Sequence, residues 1–490
     1  MITMSSKGKA AYSDDNVTPE MEYPRDLSSP TLCAFIGINI GTEFMRDLPS
    51  ANDVLFILKS HHVTHVRLYD ADHQMLNALA NTGIAVMVGV TNDELHRIGQ
   101  NQTAAADWVN KNVAAFLPKT NITAIAVGNE VLTTYQSGAP HLVPAMNLLY
   151  HALVATNLDL KVKVSSPHSM DTIAPPYFPP STATFNPKII TTMYLYLQFL
   201  KNTESFFMLN AHPYYGYTTG NATSSIDYAL LKPRLARSKQ IVDSNTGLRY
   251  LSMFDAMVDA AYYSMGALNF SGIPVVVTES GWPSVGGANE PDATMENAQT
   301  YVTNLIHRVF DKCGSPSQPQ FPTSTYIYEL FNEDIRPGSL SKRNWGLFYT
   351  NGTAMHSQDL IMVKGNRNSS VCMVFCVAKK DAKESALEAA LNWACGIGNA
   401  SCGAIQKGQP CYKPNNLHSH ASYAFNDYYQ RMRSSGGTSC DFWGTAIITT
   451  KDPSHGSCSF TGRSAATAMQ MSWVAFYIPA VVVFLLNLQQ

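Results

Sequence analysis

The chain has 490 residues, with 34 Lys plus Arg against 36 Asp plus Glu and a formal net charge of −2. That balance supplies no general electrostatic attraction to nucleic acid or to an anionic membrane. The length calls for two folded units, and 45% apolar residues exclude disorder over the whole chain.

Residues 1–33 carry Asp14, Asp15, Glu20, Glu22, Arg25 and Asp26 and no apolar run of signal-peptide length. They read as an unstructured segment or a wrongly assigned start. From residue 34 onward, apolar runs rich in β-branched residues recur: 34–41, 63–70, 84–90, 122–130, 161–166, 206–215, 273–280 and 325–333. Their nearly continuous apolar character marks parallel strands covered on both faces. Helical patterns lie between them, over Asp53–Ser60, Gln74–Asn81, Ala104–Phe116, Leu142–Thr156, Phe254–Met265 and Asn297–Phe310. Eight strand-helix units over residues 34–353 predict a (β/α)8 TIM barrel of the α/β class. A doubly wound open sheet is the alternative, but no Gly-rich phosphate loop follows the first strand.

Polar, sequon-bearing residues 354–374 read as a linker. Of the nine cysteines, seven fall between Cys372 and Cys458, while Cys33 and Cys313 stand apart. Such density over 375–460 predicts a small disulfide-rich domain and an oxidising compartment. Zinc is the rival, though no Cys-x-x-Cys pair occurs. Eight Asn-x-Ser/Thr sequons agree with secretion. The last segment, 464–490, joins small residues Ser464, Ala465 and Ala466, a short polar spacer and the apolar tail Trp473–Leu486. That order is the pattern of a glycosylphosphatidylinositol (GPI) attachment signal.

In a (β/α)8 barrel the reactive groups stand at the carboxyl ends of the strands. Strand four ends Asn129-Glu130, strand seven ends Thr278-Glu279-Ser280-Gly281-Trp282-Pro283, strand two ends Arg67-Leu68-Tyr69-Asp70, and strand eight ends Asn332-Glu333. Two carboxylates facing one another across a barrel mouth are the equipment of glycoside hydrolysis. No metal-ligand cluster, phosphate loop or nucleotide motif is present in the sequence, so neither a metal nor a cofactor is expected.

The stretches GINIGTEF, THVRLYDAD, AIAVGNEV, VVVTESGWPS, YIYELFNED and RNWGLF, in order between Phe35 and Thr353, resemble plant glucan endo-1,3-β-glucosidases of glycoside hydrolase family 17. The resemblance implies a retaining hydrolase of internal bonds in β-1,3-glucan such as callose. Glu130 would be the acid/base, Glu279 the nucleophile, and Asn129 a partner of the sugar 2-hydroxyl. Tyr69 and Glu333 match further site residues, and Trp282 and Trp345 are candidate sugar platforms. Three positions depart from the family: Arg336 stands where Lys is usual, Lys342 where a Glu is common, and His212 in place of the first Tyr of a Tyr-Pro-Tyr stretch. Lys342 bears on the hydrogen bonding beneath the acid, while His212 reads as a substitution in the wall.

The Cys-rich unit resembles carbohydrate-binding module family 43, through stretches that include NWACGIG and SCDFWGTAIITTKDPSHGSCSF. That implies β-1,3-glucan binding, with Tyr423, Phe425, Tyr428, Tyr429 and Trp443 as candidates. Six matching cysteines allow 15 pairings, and Cys372 lies outside the pattern. The expected protein is a monomeric, GPI-anchored glucanase at the outer plasma-membrane face and wall. A glucan binder without turnover and a glucan transglycosylase are the competing readings.

Overall fold

In the computed structural model, residues 34–175, 178–219, 225–232, 241–311, 314–355, 375–432, 440–449 and 452–461 are described. The apolar runs form β1 (Ile36–Ile40), β2 (His65–Leu68), β3 (Ala85–Val90), β4 (Asn121–Val127), β5 (Lys163–Ser165), β6 (Pro167–Ser169) and β7 (Phe207–Asn210). A short antiparallel hairpin of β8 (Ile241–Val242) and β9 (Arg249–Tyr250) follows, then β10 (Val275–Ser280) and β11 (Thr325–Ile327).

Nine segments pair in the order β5-β4-β3-β2-β1-β11-β10-β7-β6, all in parallel. The two ends of that order, β5 and β6, are halves of one strand interrupted at Ser166. Rejoining them closes the ring, so the architecture is the expected eight-stranded barrel. Its fifth strand is divided because one half pairs with β4 and the other with β7.

Strand residues alternate between two cores. Ile36, Ile38, Ile40, Val66 and Leu68 belong to the outer layer, packed against the helices. Met87, Ala124, Ala126, Met208 and Tyr326 fill the interior. Close packing there leaves no room for a side chain at Gly89, where a Cβ would stand 2.1 Å from the Tyr69 carbonyl oxygen.

The helices run over Ala51–Ser60, His73–Ala78, Gln102–Val109, Ala139–Ala155, Met253–Ala267 and Met295–Asp311, near the expected positions. The expected helix 104–116 is shorter: its α-helical part ends at Val109 and continues as wider π turns over Asn110–Ala114. An additional helix, Ile190–Asn202, buries Met193, Tyr196, Leu197 and Leu200 on one side. Its TTMYLYLQF composition reads as strand-forming, and packing against the barrel overrides that preference. No helix among the described residues is long and apolar enough to cross a membrane.

The Cys-rich unit pairs β12 (Phe375–Ala378) antiparallel with β13 (Ala446–Thr449), beside the helices Glu384–Cys395 and Leu417–Met432. Three disulfides resolve the pairing left open by the sequence: Cys376–Cys440, Cys395–Cys402 and Cys411–Cys458. Phe425 is buried and stacks on Phe442 at 4.0 Å. Tyr428 packs edge-on against Trp393, and Tyr423 against Phe460. Of the five aromatic candidates for glucan contact, Trp443 stands out, 69% exposed. Residues 1–33, the linker from 356 to 374, the tail 464–490, and Cys33, Cys313 and Cys372 lie outside the described residues.

Candidate active site

Alternation decides which residues form the layer above the interior. Two positions beyond Gly37, His65, Met208 and Tyr326 come Asn39, Arg67, Asn210 and Tyr328, at the carboxyl ends of four strands. Registers place Asn39 beside Arg67 and Glu279 beside Asn210. An irregularity in β10 between Val277 and Glu279 breaks the alternation. It turns the Thr278 carbonyl toward Asn39 and Arg67, each of which donates to it at 3.0 Å.

Glu279 is 6% exposed and heavily hydrogen-bonded. Its Oε1 accepts from Arg67 Nη1 at 3.0 Å and from the Tyr69 hydroxyl at 2.9 Å. Its Oε2 faces His212 Nε2 at 3.3 Å. Burial alone would push this carboxyl up. The His212 hydrogen bond, the Arg67 charge and the Tyr69 hydroxyl outweigh burial and hold it down to about 2.

Glu130 follows β4 in the left-handed region at φ 52°, an uncommon conformation for a residue with a Cβ. Its backbone N–H donates to the Pro167 carbonyl at 3.0 Å, and its Oε1 accepts from Asn210 Nδ2 at 2.9 Å. Burial, then the negative Glu279, raise its pKa, with the Asn210 hydrogen bond foremost among the contacts that oppose them. The two carboxyl groups are therefore driven in opposite directions, one toward the anion and one toward the acid.

Asn129 Oδ1 accepts from Arg67 Nη2 at 2.8 Å and from Asn210 Nδ2 at 3.3 Å, while its backbone is clamped by Asn92. This leaves the Asn129 amide NH2 as the end able to donate to a ligand. Asn210 is held in turn by the Thr278 hydroxyl at 2.8 Å. Arg67 and Asn210 thus join β2, β4, β7 and β10 in one network. The strand-two ending drew attention to Arg67 without giving it a part, and Asn210 drew none. An inward polar residue two places beyond the last interior apolar one is the signal that would have found Asn210, two places beyond Met208.

The eighth strand contributes a second carboxyl group. Glu333 is buried with both oxygens engaged, by the Tyr328 hydroxyl at 3.0 Å and by a bidentate Arg336. Its influence on the site runs through those partners, and the planar guanidinium makes two contacts where an ammonium would act as a point charge. Glu329, which the sequence did not single out, is 1% exposed. Burial first, then the negative Glu333, push its pKa well above the ordinary carboxylate range.

Trp282 requires correction as a sugar platform. It is 2% exposed, its Nε1 donates to the Asp292 carbonyl at 2.9 Å, and Tyr214, Tyr217 and Tyr301 surround it. A face already covered by aromatic rings cannot stack on a pyranose. Trp345 is buried too, behind His212 and Tyr215. Lys342 is exposed and forms no ion pair among the described residues, so the carboxylate network is assembled without it. Among the described residues no group of three or more His, Cys, Asp or Glu is arranged to hold a metal ion.

A parallel barrel carrying two oppositely biased carboxyl groups at its carboxyl-terminal mouth defines the class of barrel glycosidases. Residues 36–360 match glycosyl hydrolases family 17, and the chain belongs to that family; residues 374–447 match the X8 domain. It is 61% identical over 435 residues to glucan endo-1,3-beta-glucosidase 4 of Arabidopsis thaliana, covering 89% of this chain and 85% of that one. Glucan endo-1,3-beta-D-glucosidase of Olea europaea is 36% identical, covering 88% of this chain and 94% of the relative. Among solved structures, the β-1,3-glucanase and pollen allergen CJP38 of Cryptomeria japonica superposes with a TM-score of 0.62 at 40% identity, covering 66% of this chain and 98% of its own.

Proposed function

We propose that this chain hydrolyses internal β-1,3-glucosidic bonds of β-1,3-glucan with retention of anomeric configuration. The observation that carries the reading is the opposite bias of Glu279 and Glu130. In the first step the Glu279 carboxylate bonds to the anomeric carbon as the bond to the leaving oxygen breaks, and Glu130 gives its proton to that oxygen. In the second, water attacks the glycosyl-enzyme, Glu130 takes its proton, and the Glu279 carboxylate is released. The Asn129 NH2 donates to the sugar 2-hydroxyl, while Tyr69 holds the nucleophile. Glu333, through Arg336, supports the wall against which the glucan lies. The relatives named above are glucan endo-1,3-β-glucosidases, which supports the same bond as substrate.

The test is reducing-sugar release from a soluble β-1,3-glucan, with product sizing and proton NMR of the newly formed anomer. Short oligosaccharides released as the β-anomer are the expected result. Binding without release would replace the enzyme by a glucan binder, and products longer than the substrate would replace hydrolysis by transglycosylation.

The same reading places the protein outside the cell as a monomer, at the wall and on the outer plasma-membrane face, with residues 464–490 exchanged for a GPI anchor. Three disulfides and the sequons support the oxidising route. Phosphatidylinositol-specific phospholipase C should release the protein from membranes; retention in the membrane fraction after treatment would remove the anchor from this account.

A further inference from the structure

His212 follows Asn210 on the inward side of the barrel wall, and it sits on the nucleophile. Its Nε2 lies 3.3 Å from Glu279 Oε2, and a carboxylate can only accept, so Nε2 carries the proton. The side chain is 13% exposed. The ring is fixed edge-on against Trp345 at 5.1 Å, and against Tyr328 and Tyr215, both at 5.8 Å. Arg67 and Tyr69 occupy Glu279 Oε1, so Oε2, held by one long hydrogen bond, is the oxygen left to bond the anomeric carbon.

We propose that His212 is a catalytic residue that acts as a proton-controlled brake on the nucleophile, neutral in the working enzyme and inhibitory when it takes a second proton. The proposal rests on the hydrolase reading above. Its physical basis is a change of charge. As Oε2 bonds to carbon, the carboxylate loses its negative charge and the sugar ring gains positive charge. A neutral imidazole is almost indifferent to that change. An imidazolium stabilises the carboxylate before reaction, loses the partner during it and repels the developing cation, so the barrier rises. The step itself is unaltered: the Oε2–carbon bond forms, the bond to the leaving oxygen breaks, and the proton on that oxygen comes from Glu130.

The other ionisable groups facing His212 do not mimic the effect. Arg67 and Tyr69 lie across Glu279, and Arg67 keeps its charge throughout. Burial pushes Tyr215 up to about 12 and holds Tyr328 well above its ordinary value, so both hydroxyls stay protonated. Tyr328 also leads to Glu333 and its bound Arg336. Glu130 loses its proton on the alkaline side and lowers the rate there. Glu279, held down to about 2, stays ionised throughout the range tested.

The experiment is the pH profile of kcat/KM on a soluble β-1,3-oligosaccharide for the intact chain, His212→Gln and His212→Tyr, each checked for unchanged thermal unfolding. Between pH 7 and 5 the intact chain should lose about tenfold and the two variants less than about twofold, because neither replacement titrates there. Acid limbs that coincide overturn the proposal. A second readout needs no turnover: carbon-13 NMR of labelled histidine, with the His212 signal assigned by its loss in His212→Gln. Its titration midpoint should fall in Glu279→Gln, and a midpoint that does not move overturns the contact. If no form releases sugar at any pH, the hydrolase reading fails on its own, and the NMR result still decides whether the imidazole senses the carboxylate.

Discussion

Glu279→Gln should lower kcat on soluble β-1,3-glucan by at least about 10³-fold, since an amide cannot form the glycosyl-enzyme bond. Gln matches Glu in shape, so its amide oxygen can still accept from Tyr69, while its NH2 meets His212 Nε2 only in the other imidazole tautomer. Arg67 does not keep its counter-charge. It is 1% exposed and keeps only neutral acceptors, the Asn129 oxygen, the Thr278 carbonyl and the new amide oxygen. Removing one partner of a buried ion pair costs about 3–5 kcal/mol, so a lower midpoint of thermal unfolding should accompany the loss of activity. Circular dichroism melts beside the rate measurement separate the two effects. Retention of activity within tenfold by a folded Glu279→Gln protein would remove Glu279 as nucleophile.

Glu130→Gln should cost about 10²–10⁴-fold on the glucan, the usual worth of a positioned general acid. The loss should be much smaller in the first step for an aryl β-glycoside whose leaving group needs no proton. The sign of the pH dependence follows from the raised pKa. Glu130 keeps its proton above the ordinary carboxylate range, and activity declines as pH rises through that raised value. Gln has no proton to lose, so the alkaline limb of kcat/KM should vanish in the variant. Equal losses on both substrates, with the alkaline limb intact, would assign the acid elsewhere.

The barrel was legible because strands covered on both faces must be apolar almost throughout, and eight such runs recur between residues 34 and 340. Glu130 and Glu279 drew attention as polar ends of apolar runs. What sequence could not carry was register. The contacts of Arg67 and Asn210 depend on which residues lie abreast in neighbouring strands, and that of Glu279 on an irregularity in β10. His212 reads as a wall residue until the neighbouring strand is known to present a carboxylate. Exposure was equally hidden: Trp282 and Trp443 are both plausible sugar contacts by type, but the fold covers the first and leaves the second open. Disulfide pairing required the two helices of the small unit to be placed before any of the 15 arrangements could be chosen.

The interruption at Ser166 has a consequence for how molecules of this protein meet one another. Each half of the divided strand gives its backbone groups to a different neighbour, which makes the nine segments a sheet without a border. An open parallel sheet would present two rows of unmet N–H and C=O groups, each a template on which a foreign strand could add. Here those rows are used up in closing the circle. Encounters at the barrel sheet are left to side chains, and strand-by-strand addition to that sheet is shut at its first step.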